Sequence, residues 1–258
     1  MKKILLGLTV LAVTISGCAV PFAPVPGTYQ LSYEDGIVGQ SLIYTGTPDS
    51  ILVYGYYPWF SRIVDFAAGD YQLDEGLTLE DVHVAKAALG NAGNSLAFVL
   101  GRAGQNGKIN LYIDANYNEI LETSEKEYSF AMENNLPSNR YLMVDYQLHG
   151  ELQRNKLALC YKIFSGSGGY RIKIAVVSIF KGEMNFENGE RRRFVVVDAN
   201  ANGVFNDEGQ DLMAIDLDDD GEINLNRESM AYRQEVTGKS KTYKISMESW
   251  PEDITIED

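Results

Sequence analysis

Between Phe194 and Asn226 the chain reads FVVVDANANGVFNDEGQDLMAIDLDDDGEINLN. Two apolar runs, Phe194 to Val197 and Leu212 to Ile215, each deliver an aspartate. Each aspartate opens the spacing D-x-[DN]-x-[DN]-G: Asp198, Asn200, Asn202 and Gly203, then Asp216, Asp218, Asp220 and Gly221. Nine carboxylates fall between Asp198 and Glu222 with no Lys or Arg among them. Like charges tied between two strands repel one another, so loops of this kind close best around a cation. The spacing suits one: oxygens at loop positions 1, 3 and 5 converge on a hard ion, a backbone carbonyl at 7 joins them, and glycine at 6 permits the sharp turn.

In the first loop the candidate ligands are Asp198, Asn200, Asn202 and the carbonyl of Val204. Gly209 stands at position 12, so Asp207 and Asp211 are the carboxylates available to close the loop. In the second the candidates are Asp216, Asp218, Asp220 and Glu222, with Ile223 at the apolar position 8. Arg227 occupies position 12 there, and Glu228 comes one residue late. A third loop offers Asp114, Asn116, Asn118 and, at position 12, Glu125, but Glu119 replaces the turn glycine. This pattern resembles the start of an EF-hand calcium loop. With apolar, strand-like runs in front instead of a helix, it is more similar to the calcium loops of dockerin-like and thrombospondin type 3 repeats. The resemblance implies Ca2+ as the ion. Magnesium prefers few carboxylates and keeps its waters. Zinc or iron would want His or Cys, and the two histidines, His83 and His149, lie far from these loops. The alternative for each loop is an Asx-rich turn that needs no metal, and for the Asp114 loop both readings stay open.

The first residues have another logic. Lys2 and Lys3 precede an apolar stretch, Ile4 to Thr14, too short for a comfortable membrane span. Ile15-Ser16-Gly17-Cys18 follows and resembles the lipobox of bacterial lipoproteins. The resemblance implies that residues 1–17 are a signal peptide and that Cys18 is lipidated and anchors the chain to a membrane. Ala19 and Val20, with no Asp beside the cysteine, match the family's pattern for the outer membrane, with the domain facing the periplasm or the cell surface. Residues 18–27 carry three prolines and no charge and read as an extended tether. Only Cys160 then remains, so no intrachain disulfide is expected. Its run, KLALCYKIF, makes it a small buried residue of a strand. Lys and Arg number 22 against 36 Asp and Glu, a net charge of −14. Without Lys2 and Lys3 the balance is 20 against 36, or −16. Such acidity excludes nucleic acid as a partner.

From Thr28 onward the signals are those of strands. Lys108 to Ile113 and Thr242 to Glu248 alternate apolar with polar residues. Lys156 to Phe164 and Tyr170 to Phe180 are two long strand runs joined by Ser165 to Gly169. Ser50 to Phe60 is aromatic and β-branched. Only Leu79 to Ala92 resembles a helix in composition. The expected fold is all-β, with antiparallel sandwich-like sheets in an N-terminal half, 28–138, and a C-terminal half, 139–258. Asn106-Gly107, a strand and Asp114 echo Asn188-Gly189, a strand and Asp198.

Signatures of catalysis are missing: no nucleophile elbow surrounds Ser167 and no phosphate-loop lysine follows it. No catalytic residue is assigned. The expected function is an exported, lipid-anchored protein that binds calcium structurally, its glycan or protein partner unknown. The alternatives are a secreted hydrolase stabilised by calcium, or a carbohydrate-binding or adhesion module using Tyr54, Tyr56, Tyr57, Trp59 and Phe60.

Overall fold

Alternating and continuous apolar runs become strands throughout the computed structural model, which describes residues 23–34, 52–54, 61–90, 95–103, 108–131, 140–148, 151–166, 169–237 and 241–258. The leader, Cys18, most of the tether, Tyr56, Tyr57, Trp59, Phe60 and His149 lie outside the described residues. In chain order the described strands are β1 (Gly27–Glu34), β2 (Leu52–Tyr54), β3 (Arg62–Asp65), β4 (Ala67–Ala68), β5 (Gln72–Leu73), β6 (Glu80–Ala88) and β7 (Ser95–Arg102). Then come β8 (Lys108–Asp114), β9 (Ile120–Leu121), β10 (Lys126–Ala131), β11 (Arg140–Leu148), β12 (Glu151–Gly166), β13 (Gly169–Val176) and β14 (Ile179–Asn185). The last are β15 (Arg191–Val197), β16 (Leu212–Ile215), β17 (Glu222–Asn224), β18 (Ser229–Ala231), β19 (Glu235–Thr237), β20 (Thr242–Ser246) and β21 (Asp253–Glu257).

Three antiparallel sheets carry the all-β, sandwich-like fold. The largest runs β18-β16-β15-β14-β1-β21-β20-β19, a second β10-β8-β7-β6-β4, and a third β11-β12-β13-β3. Two short ladders are parallel, β17 with β2 and β5 with β9, and each enters an acidic loop. Strands from before residue 138 pair with strands after it in three places: β1 with β14 and β21, β3 with β13, and β2 with β17.

Leu79 to Ala92, the one helix-like stretch, is largely β6. Ala85 and Ala87 are buried while Lys86 and Ala88 are exposed, a period of two imposed by pairing with β7. The long run Tyr170 to Phe180 is broken at Val177 and Ser178, between β13 and β14. Ser178 is fully buried there; its Oγ accepts the Ala158 N–H (2.8 Å) and lies 2.8 Å from the Tyr33 hydroxyl. Bonded on both sides, Ser178 lets the chain leave the four-stranded sheet and enter the eight-stranded one.

The core lies on both faces of β15 and β16. Phe194, Val196, Met213 and Ile215 join the main cluster, while Val195, Val197, Leu212 and Ala214 join a second one with Ala158 and Cys160. That two-sided burial explains why FVVV and LMAI are continuous rather than alternating. Gly182 of β14 sits beneath the Phe194 ring. A Cβ there would lie 2.8 Å from both Gln30 O and Phe194 Cε1. Gly182→Ala is therefore expected to destabilise the fold by roughly 1–3 kcal/mol through overpacking, read as a lower urea midpoint; an unchanged midpoint overturns this account.

Candidate metal centre

The acidic loops begin inside the protein because the strands before them do. β8 is buried from Ile109 through Asp114, and β15 and β16 are buried to their last residues. The first aspartates, Asp114, Asp198 and Asp216, are accordingly 1%, 0% and 0% exposed. A carboxylate at that depth needs hydrogen bonds and counter-charge.

All three loops meet this need with one backbone plan. The third residue after the first aspartate is left-handed in each: Tyr117 (φ 59), Ala201 (φ 57) and Asp219 (φ 60). So is the fifth: Glu119 (φ 61), Gly203 (φ 80) and Gly221 (φ 90). The amide of that fifth residue donates back to the first aspartate, at 3.0, 2.6 and 3.2 Å. A side-chain oxygen of Asn118, Asn202 or Asp220 accepts the N–H two residues on, at 2.8 Å in every loop. Leu121, Phe205 and Ile223 occupy the same place and are all 0% exposed. A later carboxylate closes the first two loops by accepting the N–H next to the first aspartate, Asp211 from Ala199 and Glu228 from Leu217, while in the third Glu125 Oε2 accepts the Glu122 N–H (3.0 Å). The echo between the Asp114 and Asp198 segments thus extends to their backbones.

The second loop gathers carboxylates into a group that could hold a metal ion. Ligand oxygens of Asp216, Asp218 and Glu228 all lie within 4.8 Å of one another. Asp216 Oδ2 accepts the Gly221 N–H and a bond from Arg193 Nη2 (3.1 Å), while its buried Oδ1 has no hydrogen-bond partner. Glu228 is fixed by the amides of Leu217 (2.9 Å) and Asn224 (2.6 Å). Of the residues read from the sequence, Asp216 and Asp218 belong to this group. Asp220 is exposed and turned toward the Glu222 N–H, and Glu222 heads β17. Glu228 takes the closing position although it is one residue late, because the turn at Asn224, which accepts the Arg227 and Glu228 amides, absorbs the extra residue.

The acidic run also has basic neighbours that its own sequence lacks. Pairing of Phe194 with Ile215 sets Arg193 opposite Asp216, whose N–H bonds to the Arg193 carbonyl (3.0 Å). Arg192 reaches Asp219 at 3.3 Å. A Cβ at Gly221 would lie 2.8 Å from Arg193 Nη2, so this glycine gives room for the guanidinium as well as a left-handed turn.

In the first loop hydrogen bonds fill much of the interior. Asp198 accepts the amides of Ala201, Asn202 and Gly203, and Asp211 those of Ala199 (3.1 Å) and Asp207 (2.7 Å). Asp207 Oδ2 accepts the side-chain amides of Asn200 (2.7 Å) and Asn202 (2.5 Å). Asn200 Oδ1 is buried without a partner, and Val204 is buried with its N–H on Asn202 Oδ1. Burial pushes Asp198 up to about 7, against the pull of its three backbone bonds. Burial first, then the charge of Asp198, pushes Asp211 up to about 8. Arg62 of β3 lies close enough for the charge of Asp198 to act on it, and Gly90 N–H bonds to Asn202 O (2.6 Å). The loop, which follows β15 of the eight-stranded sheet, is thus bonded to the segment just after β6 of the five-stranded one.

In the third loop Asp114 Oδ2 accepts the Glu119 N–H and the Tyr71 hydroxyl (2.6 Å). Asp114 Oδ1 and Glu125 Oε1 are buried without hydrogen-bond partners. Asn116 and Asn118 use their Oδ1 atoms to accept the amides of Asn118 and Ile120.

Elsewhere, His83 is half-buried on β6 with Nδ1 3.0 Å from the Asp81 carbonyl. Cys160 is fully buried in β12, its thiol bonded to the Tyr141 hydroxyl. Comparison with protein-family models, curated proteins and solved structures found no match, so the loops are judged on their own geometry.

Proposed function

We propose that this chain is an exported, lipid-anchored all-β protein whose loops at Asp198 and Asp216 bind calcium for a structural purpose. The observation that carries the reading is the gathering of Asp216, Asp218 and Glu228 into one group, with Asp216 Oδ1 buried and unpartnered. A set made only of carboxylate oxygens suits calcium, which takes about six to eight oxygen ligands in flexible geometry, better than magnesium, which keeps several waters. In the Asp198 loop the buried, unpartnered Asn200 Oδ1 is the further side-chain oxygen available to an ion, while Asn202 Oδ1 holds the Val204 N–H. Bound calcium there neutralises Asp198 and Asp211, which burial otherwise biases toward the protonated form, and holds together the elements that meet at the loop.

Asp216→Ala with Asp218→Ala removes two ligands. Calorimetric titration of the full-length protein in detergent is expected to show loss of one calcium equivalent from this double variant. Retention of wild-type stoichiometry and affinity overturns the reading. The anchor rests on the resemblance of Ile15 to Cys18 to a lipobox, and Cys18→Ala is expected to move the protein from the membrane pellet to the soluble fraction. Recovery of both proteins in the pellet removes the lipid-anchor half of the proposal.

A further inference from the structure

Buried carboxylate and carboxamide oxygens with neither a hydrogen bond nor an ion pair are confined, among the described residues, to the acidic loops: Asp114 Oδ1, Glu125 Oε1, Asn200 Oδ1 and Asp216 Oδ1. Two of the four are in the third loop, and they belong to its first and last carboxylates. Leaving a buried acceptor unpaired is costly, so two in one loop call for a shared partner. Both oxygens are shut off from solvent within the loop. Asp114 is 1% exposed, and its other oxygen is bonded across the loop to the Glu119 amide. Glu125 Oε2 is tied to the Glu122 amide, and the side chain lies close enough to Asp114 to feel its charge.

We infer that the loop from Asp114 to Glu125 is a third divalent-cation site of the calcium class, in which Asp114 Oδ1 and Glu125 Oε1 are ligands and Tyr71 is a positioning residue. The inference stands apart from the proposed ions at Asp198 and Asp216, because it uses different residues. Its charge agrees with the second loop. Asp216, Asp218 and Glu228 bring three negative charges, and Arg193 offsets one. Asp114 and Glu125 bring two, and the group on Asp114 Oδ2 is the neutral phenol of Tyr71. Glu122 and Glu119 lie near enough to add their charge, Glu119 being paired with Lys86 at 4.0 Å, so this loop, like the second, draws a cation. Tyr71 is brought there by the parallel ladder of β5 on β9, which sets Gln72 beside Ile120. Its hydroxyl occupies Oδ2 and leaves Oδ1 as the oxygen available to an ion, as Arg193 does at Asp216 in the second loop. Glu119 in the left-handed region, where glycine is the ordinary choice, shows that the loop keeps the same backbone without the residue that makes it easy.

The test uses the full-length protein in detergent and two probes, calcium and terbium. Glu125→Gln keeps the size and the backbone-accepting oxygen of the side chain but removes its charge. Calcium stoichiometry by equilibrium dialysis is expected to fall by one equivalent in Glu125→Gln, and by a different one in Asp216→Ala with Asp218→Ala. Terbium luminescence excited through tyrosine is expected to be strong in wild type, because the Tyr71 ring adjoins the site. It should fall more than fivefold in Glu125→Gln and survive the Asp216 and Asp218 substitutions. Tyr71→Phe, which leaves every proposed ligand in place, is expected to weaken calcium at this site at least tenfold. Unchanged calcium stoichiometry in Glu125→Gln overturns the third site while leaving the Asp216 centre intact. Loss of the equivalent in Glu125→Gln but not in the Asp216 and Asp218 variant supports the third site and overturns the other reading. Unchanged calcium affinity in Tyr71→Phe removes the positioning role.

Discussion

Transfer of the full-length protein from several millimolar calcium into a chelator is expected to lower its melting temperature by roughly 10–20 °C. A ligand that binds only the folded chain stabilises it by about 2.7 kcal/mol per site when present at 100 times its Kd, so two sites give about 5 kcal/mol. In a chain of this size each kcal/mol moves the midpoint by about 2–4 °C. The structural reason for so large an effect is where the loops sit. Asp198, Asp211 and Asp216 are all 0% exposed. Phe205, inside the first loop, packs edge-on against Phe180 (4.9 Å) and Trp250 (5.9 Å), so loosening this loop opens the core rather than a surface turn. Equimolar magnesium should recover little, because it demands near-octahedral geometry at shorter distances. Scanning calorimetry at fixed ionic strength separates ion binding from plain screening. Equal midpoints in calcium, magnesium and chelator would mean that the loops are Asx turns and bind no ion of consequence.

Much of this architecture is legible in the sequence, because it depends on local pattern. Alternation marks β8 and β20, and the D-x-[DN]-x-[DN]-G spacing places the first oxygens of each loop and both turn glycines. What is not legible depends on pairing between distant residues. Arg193 precedes the acidic run by five residues, yet reaches Asp216 only because β15 and β16 pair in one particular register. Tyr71 and Asp114 are 43 residues apart and meet through a two-residue parallel ladder, which has no periodicity of its own. Glu228 was visible but one place late, and only the turn at Asn224 shows how the loop absorbs the extra residue. Leu79 to Ala92 illustrates the opposite case. Its alanines favour a helix in isolation, and pairing with β7 overrides them.

The metal-free protein is expected to lose stability as pH rises from 6 to 8.5, whereas the calcium-loaded protein is not. Burial holds Asp198 near 7 and Asp211 near 8, above the range near 4 that such groups have in an unfolded chain. Between those limits the folded chain binds more protons than the unfolded one, so stability is fully present below the unfolded values and is lost as pH climbs through the folded ones. Each retained proton contributes a slope on the order of 1 kcal/mol per pH unit within that window. Calcium reverses the dependence, because it binds the ionised pair and must displace the proton first. The two stability curves should therefore lie close together at pH 6 and separate toward pH 8.5, with proton release on calcium uptake largest at the acidic end. Asp211→Asn leaves no proton at that position to lose and should flatten the metal-free curve, while Asp220→Asn, at an exposed position, should leave it unchanged. Urea midpoints in chelator at pH 6, 7, 8 and 8.5 read this directly. A metal-free protein as stable at pH 8.5 as at pH 6, or an Asp211→Asn variant with the wild-type slope, would show that the buried pair does not hold a proton and that the first loop meets its charge in another way.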